Sequence, residues 1–142
     1  MKDLNCKIKQ ISNEIAPFDI VTSPYVDING TRKIGLFLVI YTEQRDPNDF
    51  NNRNVTGLKL TSKDLYANMY RTLVTGEDLP CLTSDSYIYA NKLSTLLVSH
   101  CRFVSKLPVN LCEEVMSKLN IYLTQTQTQT NSELIKKLKG GE

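Results

Sequence analysis

Hydrophobic residues along this chain are concentrated in short runs, and the longest unbroken run spans Leu36 to Tyr41. The run is too short to cross a bilayer and is rich in β-branched and aromatic residues. Such a run predicts a strand buried on both faces, here Gly35 to Thr42. The stretch before it, Asn29 to Lys33, combines a turn with two cations. A basic loop is therefore expected to lead directly into the centre of the core.

Shorter apolar stretches on either side of this run predict further strands. Turn signals at Ser23-Pro24 and from Asp27 to Gly30 predict a hairpin-like connection into the central strand. Ser86–Ala90 and Leu93–Ser99 fit either one long bent strand or two. The remaining stretches with strand character are Phe18–Val21, Val55–Thr61, Met69–Val74 and Cys101–Leu107.

Helical spacing of apolar residues is found mainly at the two ends of the chain. An N-terminal amphipathic helix is predicted from the spacing of Leu4, Ile8, Ile11 and Ile15. A short helix is expected over Lys63–Asn68, with Ser62 as its cap. A longer one starts at Asn110, where Asn110 and Glu113 resemble a capping box, and carries an apolar stripe to Leu123. The Thr/Gln alternation at 124–130 predicts a polar linker, and Ser132–Lys139 a short basic helix formed on docking.

This order of elements indicates the fold class. Parallel βαβ units would need long helices between strands, and the sequence has none there. The prediction is α+β, mostly β: a small SH3-like, strongly bent antiparallel barrel with an N-terminal and a C-terminal helix. It divides the chain into the N-terminal helix at 1–16, the barrel at 17–123 and a polar linker with a short basic tail at 124–142.

Composition narrows the functional classes. The chain has 142 residues, 41% of them hydrophobic, with a net charge of +2, which argues for one domain and against coating nucleic acid by bulk charge. Four cysteines without metal-ligand or disulfide spacing predict reduced thiols, no metal and no cofactor. With no apolar leader, we expect a cytoplasmic protein that does not use a membrane. One histidine, His100, excludes a two-histidine nuclease mechanism within one chain.

Several of these pieces, taken in order, resemble the MazF/PemK family of the CcdB/MazF superfamily. The resemblance covers about residues 17 to 123. Its pieces are the opening strand Phe18–Val21, the loop Asn29–Lys33 before the central run, Leu58–Ser62, Leu82–Ser86 leading into Tyr87–Thr95, and the closing helix Asn110–Leu123. It implies an SH3-like toxin that cleaves single-stranded RNA without a metal, acts as a homodimer and has an antitoxin or other protein partner.

The resemblance also implies which residues carry the chemistry. Thr61 stands at the family's functional threonine, and Arg32 is the candidate for its arginine partner. A guanidinium suits a phosphate because its donors match two oxygens, and a threonine hydroxyl can bond to the same phosphate. The bland interpretation is that Arg32 solvates a turn and Thr61 caps the next helix. Candidate substrate-binding residues are Lys33, Lys59, Ser62, Lys63, Asn91, Lys92 and Thr95.

Two departures from the family pattern keep a second hypothesis open. Where the family has an Arg-Pro pair before the central run, this chain has Ile34-Gly35. Where the family has a Gln and an Arg, this chain offers Asn91, Lys92, Ser94 and Thr95. The alternative is a catalytically degenerate binding or regulatory protein of phage or mobile-element origin, acting on a protein or nucleic acid as CcdB relatives act on gyrase.

Overall fold

The computed structural model describes residues 15–43, 53–63 and 69–140, with side chains in the last helix described to Gln125 and again from Asn131 to Lys139. The N-terminal helix expected at 1–16 and the short helix expected at 63–68 therefore lie almost entirely outside the described residues. Six strands and one long α-helix make up the described chain. In chain order the elements are β1 (Asp19–Val26), β2 (Arg32–Thr42), β3 (Asn54–Thr61), β4 (Arg71–Val74), β5 (Ser86–Leu97), a 3₁₀ turn (Val98–His100), β6 (Arg102–Lys106) and α1 (Val109–Gly140).

The strands form one antiparallel sheet in the order β4-β5-β3-β2-β1-β6. Pairing shifts register at three places, next to Ile20, Val39 and Leu58. Such irregularities bend a strand and increase its local twist, so the sheet curls into a half-barrel. The prediction of a mostly-β fold with a small, strongly bent antiparallel barrel is confirmed.

The central strand β2 is buried on both faces, as predicted, at its middle three residues. Leu38 packs in a helix-facing cluster with Leu58, Ile88 and residues of α1. Phe37 and Val39 pack in a second cluster on the other face, with Val21 and other apolar residues. Alternation along the strand produces this division, because neighbouring residues point to opposite faces. Tyr41, placed in the same apolar run, is exposed.

Strand boundaries differ from the prediction at two places. β1 runs through Ser23-Pro24, where a turn was expected. Proline is tolerated there because β6 pairs only with Asp19–Thr22, which leaves Pro24 beyond the paired part of that edge. β2 begins at Arg32, three residues before the predicted start, and Arg32 pairs with Val26. The two cations before the apolar run are therefore strand residues. Of the two possibilities left open for 86–99, the structure shows one strand, β5.

The long helix α1 begins and ends differently from the prediction. The N–H groups of Leu111 and Cys112 both donate to the Pro108 carbonyl at 3.0 Å, so the first turn forms one residue before Asn110. The predicted Asn110 cap is therefore wrong. The backbone is helical through 124–130 to Gly140, so the expected linker is instead part of one continuous helix.

Two polar anchors hold the helix and the first strand in place. Lys118 on α1 donates to the Thr72 hydroxyl at 3.2 Å and to the Arg71 carbonyl, both on β4. Asp19, the buried carboxylate of β1, accepts from the Ala16 N–H and pairs with Lys106 at 2.9 Å. Buried charge is tolerated when it is paired and hydrogen-bonded in this way. These bonds hold α1 against β4 and the start of β1 against β6.

Candidate nucleic-acid interface

Lysine side chains from three neighbouring strands line one open groove of about 650 Å³, which we call the lysine groove. Its cations are Lys33 on β2, Lys59 on β3, Lys63 just after β3, and Lys92 on β5. Thr61 and Ser62 also line it. A cluster of ammonium groups along a groove of this size suits a chain of phosphates better than a compact apolar ligand.

The strand register explains why these residues meet. Phe37 pairs with Lys59, so Lys33, Gly35 and Phe37 of β2 share a face with Lys59 and Thr61 of β3. The expectation that Lys59 and Thr61 share a face is confirmed by their common place in the groove. Ser94 of β5 pairs with Gly57 and completes this face.

Arg32 lies outside this arrangement. It precedes Lys33 on the same strand, pairs with Val26, and lies on the opposite face of β2 from Lys33 and Gly35. Arg32 is not among the residues that line the groove, whereas Lys33 is. Arg32 is therefore not brought into the groove beside Thr61. Both cations belong to a strand, where neighbouring side chains point to opposite faces.

Two further candidate residues are also outside the groove. Asn91 lies on β5 with its Oδ1 buried and without a hydrogen-bond partner among the described residues. Thr95 pairs with Thr56 and is exposed on the opposite face of the strand from Ser94. Of the predicted site residues, the structure brings together Lys33, Lys59, Thr61, Ser62, Lys63 and Lys92.

The floor of the groove is aromatic. The Lys59 Nζ lies 3.9 Å from the centroid of the Tyr25 ring. Tyr25 in turn meets Phe37 edge to face, with ring centroids 6.1 Å apart. A cation above an aromatic face is attracted by the ring quadrupole, which holds the ammonium group in place without neutralising it. Tyr25 was not among the sequence candidates, although its place opposite Lys33 in the hairpin could have indicated it.

Gly35 allows this close packing. A Cβ at this position would lie 3.0 Å from Tyr25 Cε1 and 3.3 Å from Lys59 Cε. The absence of a side chain therefore lets the tyrosine and the lysine cross directly over the backbone of β2. The close approach of Tyr25 and Lys59 thus explains why a glycine stands at position 35, where the family pattern has part of an Arg-Pro pair.

The hairpin turn between β1 and β2 positions Lys33. Asp27 Oδ1 accepts from the N–H groups of Asn29 and Thr31, each at 2.9 Å, and its Oδ2 lies 3.1 Å from Lys33 Nζ. Gly30 closes the turn with φ at +82°, a conformation that glycine adopts readily. The Thr31 N–H, together with Lys33 and the Asn29 N–H, lowers the pKa of Asp27. Asp27 is therefore negatively charged and holds the Lys33 ammonium group in place through the ion pair. Its lowered pKa also makes it a weak base.

We expect Asp27→Asn to remove a pH-dependent part of the stability. Since the folded pKa of Asp27 is lowered, its contribution is present above the unfolded value of about 3.9 and is lost as the pH falls through the folded value. Thermal unfolding at pH 7, 5, 4 and 3 should show a lower Tm for the variant at pH 7, with the difference from wild type shrinking below about pH 4. Asp85→Asn, at an exposed carboxylate outside this turn, is the control. Equal Tm values for wild type and Asp27→Asn at pH 7 would contradict the role of the turn.

Thr61 and the cysteines have defined local roles. The Thr61 Oγ1 accepts the Lys63 N–H at 3.2 Å, which leaves the hydroxyl hydrogen able to donate to a ligand. The three described cysteines are free, and burial raises the pKa of the Cys101 and Cys112 thiols. Cys81 is exposed. Raised pKa values disfavour the thiolate, so neither Cys101 nor Cys112 is suited to nucleophilic attack.

The described residues contain neither a cluster of metal-ligating side chains nor a membrane-spanning helix. No group of three or more His, Cys, Asp or Glu side chains in the described ranges is arranged to hold a metal ion. Among the helices of the described chain, none is long and apolar enough to span a membrane.

Comparison with known proteins gives structural but not sequence matches. No protein family model matches the chain, and no curated protein gives a significant sequence match. Among solved structures, a mycobacterial endoribonuclease in complex with its cognate antitoxin superimposes with a TM-score of 0.57 at 14% identity, covering 78% of this chain and 96% of the matched chain. MazE–MazF from Deinococcus radiodurans gives a TM-score of 0.55 at 17% identity, covering 78% and 96% of the two chains. The described sheet and helix therefore have the MazF-like fold.

Proposed function

We propose that this protein is a metal-independent endoribonuclease of the MazF type, which binds single-stranded RNA in the lysine groove and acts in the cytoplasm. The observation that carries the proposal is the convergence of Lys33, Lys59 and Thr61 on one face of β2 and β3. The MazF-like fold supports it, since structural neighbours include mycobacterial endoribonucleases. The described groove has open access for a strand whose bases are unpaired.

The groove residues fit part of the chemistry directly. Cleavage without a metal needs removal of the 2′-hydroxyl proton, stabilisation of the charge on the phosphate oxygens as the 2′ oxygen attacks, and protonation of the leaving oxygen. The ammonium groups of Lys33 and Lys59 supply the second requirement, and the Thr61 hydroxyl adds a hydrogen bond to the phosphate. In place of the predicted Arg32, we assign charge stabilisation to these two lysines and RNA contacts to Ser62, Lys63 and Lys92.

A quaternary arrangement and a partner belong to the same proposal. We infer a homodimer, in which two barrels extend the RNA path. We also infer an antitoxin partner, because two of the structural neighbours are an endoribonuclease with its cognate antitoxin and a MazE–MazF structure. A segment that masks the lysine groove would inhibit RNA binding by competing for its cations.

The proposal is tested with purified protein and a long single-stranded RNA of mixed sequence in EDTA. Cleavage fragments should form in EDTA and disappear with a Lys33→Ala/Lys59→Ala variant. The same RNA annealed to its complement should resist cleavage, because a duplex shields its bases and fixes its backbone. Intact RNA after long incubation with a stoichiometric amount of protein would overturn the nuclease proposal.

A second candidate function is RNA binding without cleavage. It is favoured because the described lining of the groove contains no arginine and its one described carboxylate, Asp27, is a weak base. This candidate predicts tight binding of the same RNA with no products. If four lysines contact phosphates, the slope of log affinity against log salt should be about −3. Binding with that slope and no fragments would support this function over the first.

A further inference from the structure

The long helix α1 extends well beyond the sheet that it packs against. Leu111, Cys112 and Val115 pack in the helix-facing cluster of the sheet, and Leu119 is also buried. Gln125 still contacts the sheet domain, since its Oε1 accepts the Tyr70 hydroxyl at 2.6 Å. From 131 to 139 every described residue is exposed. The segment 126–140, which we call the tail, is about 22 Å of helix at 1.5 Å per residue.

The tail has an apolar stripe that does not continue the buried face of the helix. Leu134, Ile135 and Leu138 are exposed by 54%, 53% and 79% and lie on one side of the helix. At 3.6 residues per turn, this side is rotated by roughly a third of a turn from the line of Val115 and Leu119. The stripe therefore faces away from its own sheet.

An apolar pocket of about 470 Å³ lies on the same flank at the other end of α1. Its walls are Phe18, Leu107, Val109, Cys112 and Met116, with Glu113 and Lys106 among its lining residues. Val109 is 72% exposed at its edge. Asn120 and Thr124, on the same flank, lie between the pocket and the tail. One side of a single helix thus presents an apolar pocket at its start and apolar side chains at its end.

We propose that two copies of the chain pair in antiparallel fashion along this flank, so that the tail stripe of each copy fills the pocket of the other. The inference rests on the proposed homodimer and names its contact. A twofold axis near Thr124 brings residue 113 of one copy beside residue 135 of the other, and the same contact is repeated at the opposite end. Each pocket and each stripe are then used once.

Charge and helix stability both favour a second copy as the occupant. In this register Glu113 of each copy lies within side-chain reach of Lys139 of the other, an attractive pairing at both ends. The Thr/Gln segment has low helix propensity, and an unsupported helix of this length is marginal in water. Packing of each tail along the start of α1 in the other copy supplies the tertiary contact that keeps the segment helical.

The first test is sedimentation velocity of the full chain over a concentration series. Wild type should be a dimer, and Leu138→Asp should raise the dimer dissociation constant at least tenfold. Ser132→Asp adds the same charge to the same segment on another side of the helix and should leave the constant unchanged. A monomeric wild type, or a dimer that Leu138→Asp does not weaken, would overturn the inference. In the second case a homodimer through another surface would survive, and RNA cleavage measured in parallel reports on the groove separately.

The second test fixes the direction of pairing by disulfide cross-linking. Val109→Cys and Leu138→Cys proteins are mixed and oxidised with glutathione disulfide. Antiparallel pairing should give a mixed 109–138 cross-link, identified by mass spectrometry, well above the background from the natural cysteines in wild type. Within one chain these two positions are about 44 Å apart along the helix, so the link must be intermolecular. Efficient self-linking of Leu138→Cys alone would show parallel tails and would contradict the proposal.

Discussion

Lys59→Ala is expected to lower the rate of RNA cleavage by about 100-fold, the usual effect of removing one preorganised donor that stabilises transition-state charge. The Lys59 ammonium is held above the Tyr25 ring and lies in the groove beside Thr61, so it is in place before RNA binds. Preorganisation matters because the group then needs no rearrangement as charge develops on the phosphate. The measurement is single-turnover cleavage of a labelled single-stranded RNA at saturating protein.

Arg32→Ala is the matched control for this prediction. It also removes one positive charge from the same strand, but at a residue that does not line the groove. Its cleavage rate should stay within about threefold of wild type, a difference of less than one kcal/mol in the barrier. A large loss with Arg32→Ala and none with Lys59→Ala would mean that RNA uses the other face and that our assignment of the lysines is wrong.

The difference between Arg32 and Lys33 shows what the sequence could and could not predict about the site. The apolar run places β2 in the core, and its alternation requires neighbours to face opposite ways. Which cation faces the groove depends on where the strand begins, and strand ends are weakly encoded. The sequence suggested a loop before Gly35, whereas pairing with Tyr25 and Val26 extends the strand back to Arg32. A shift of three residues in this boundary turned two equivalent loop cations into residues of opposite faces.

The tail illustrates the same limit for helices. Alternating Thr and Gln has neither an apolar period nor strong helix propensity, so the sequence predicted a linker. The backbone is nevertheless helical to Gly140. Local composition cannot report contacts made by flanking residues, such as the edge-to-face packing of Tyr70 on Tyr122 that holds α1 just before this segment. By contrast, β3 was predicted closely, because turn residues bound its apolar positions.

Phe37→Ala is expected to lower the free energy of unfolding by about 3–5 kcal/mol. Phe37 is 1% exposed and is the largest fully buried side chain of the second cluster. Truncation removes its transfer free energy and leaves a cavity between two faces of a curled sheet, which has little freedom to collapse. Because domains are stable by only about 5–15 kcal/mol, this is a large fraction of the total. Urea unfolding followed by far-UV circular dichroism measures it.

The same substitution should also weaken RNA binding under conditions where the variant is still folded. Phe37 supports the edge of Tyr25, and Tyr25 supports Lys59, so the loss of the phenyl ring frees both groove residues to move. Tyr41→Ala, an exposed aromatic on the same strand, should change stability by no more than about 0.5 kcal/mol and leave binding intact. Phe37→Leu, which keeps most of the buried volume, should lie between them in stability. If Phe37→Leu loses stability but binds RNA as wild type does, then Tyr25 and Lys59 are held without Phe37, and the aromatic floor is not what preorganises the groove.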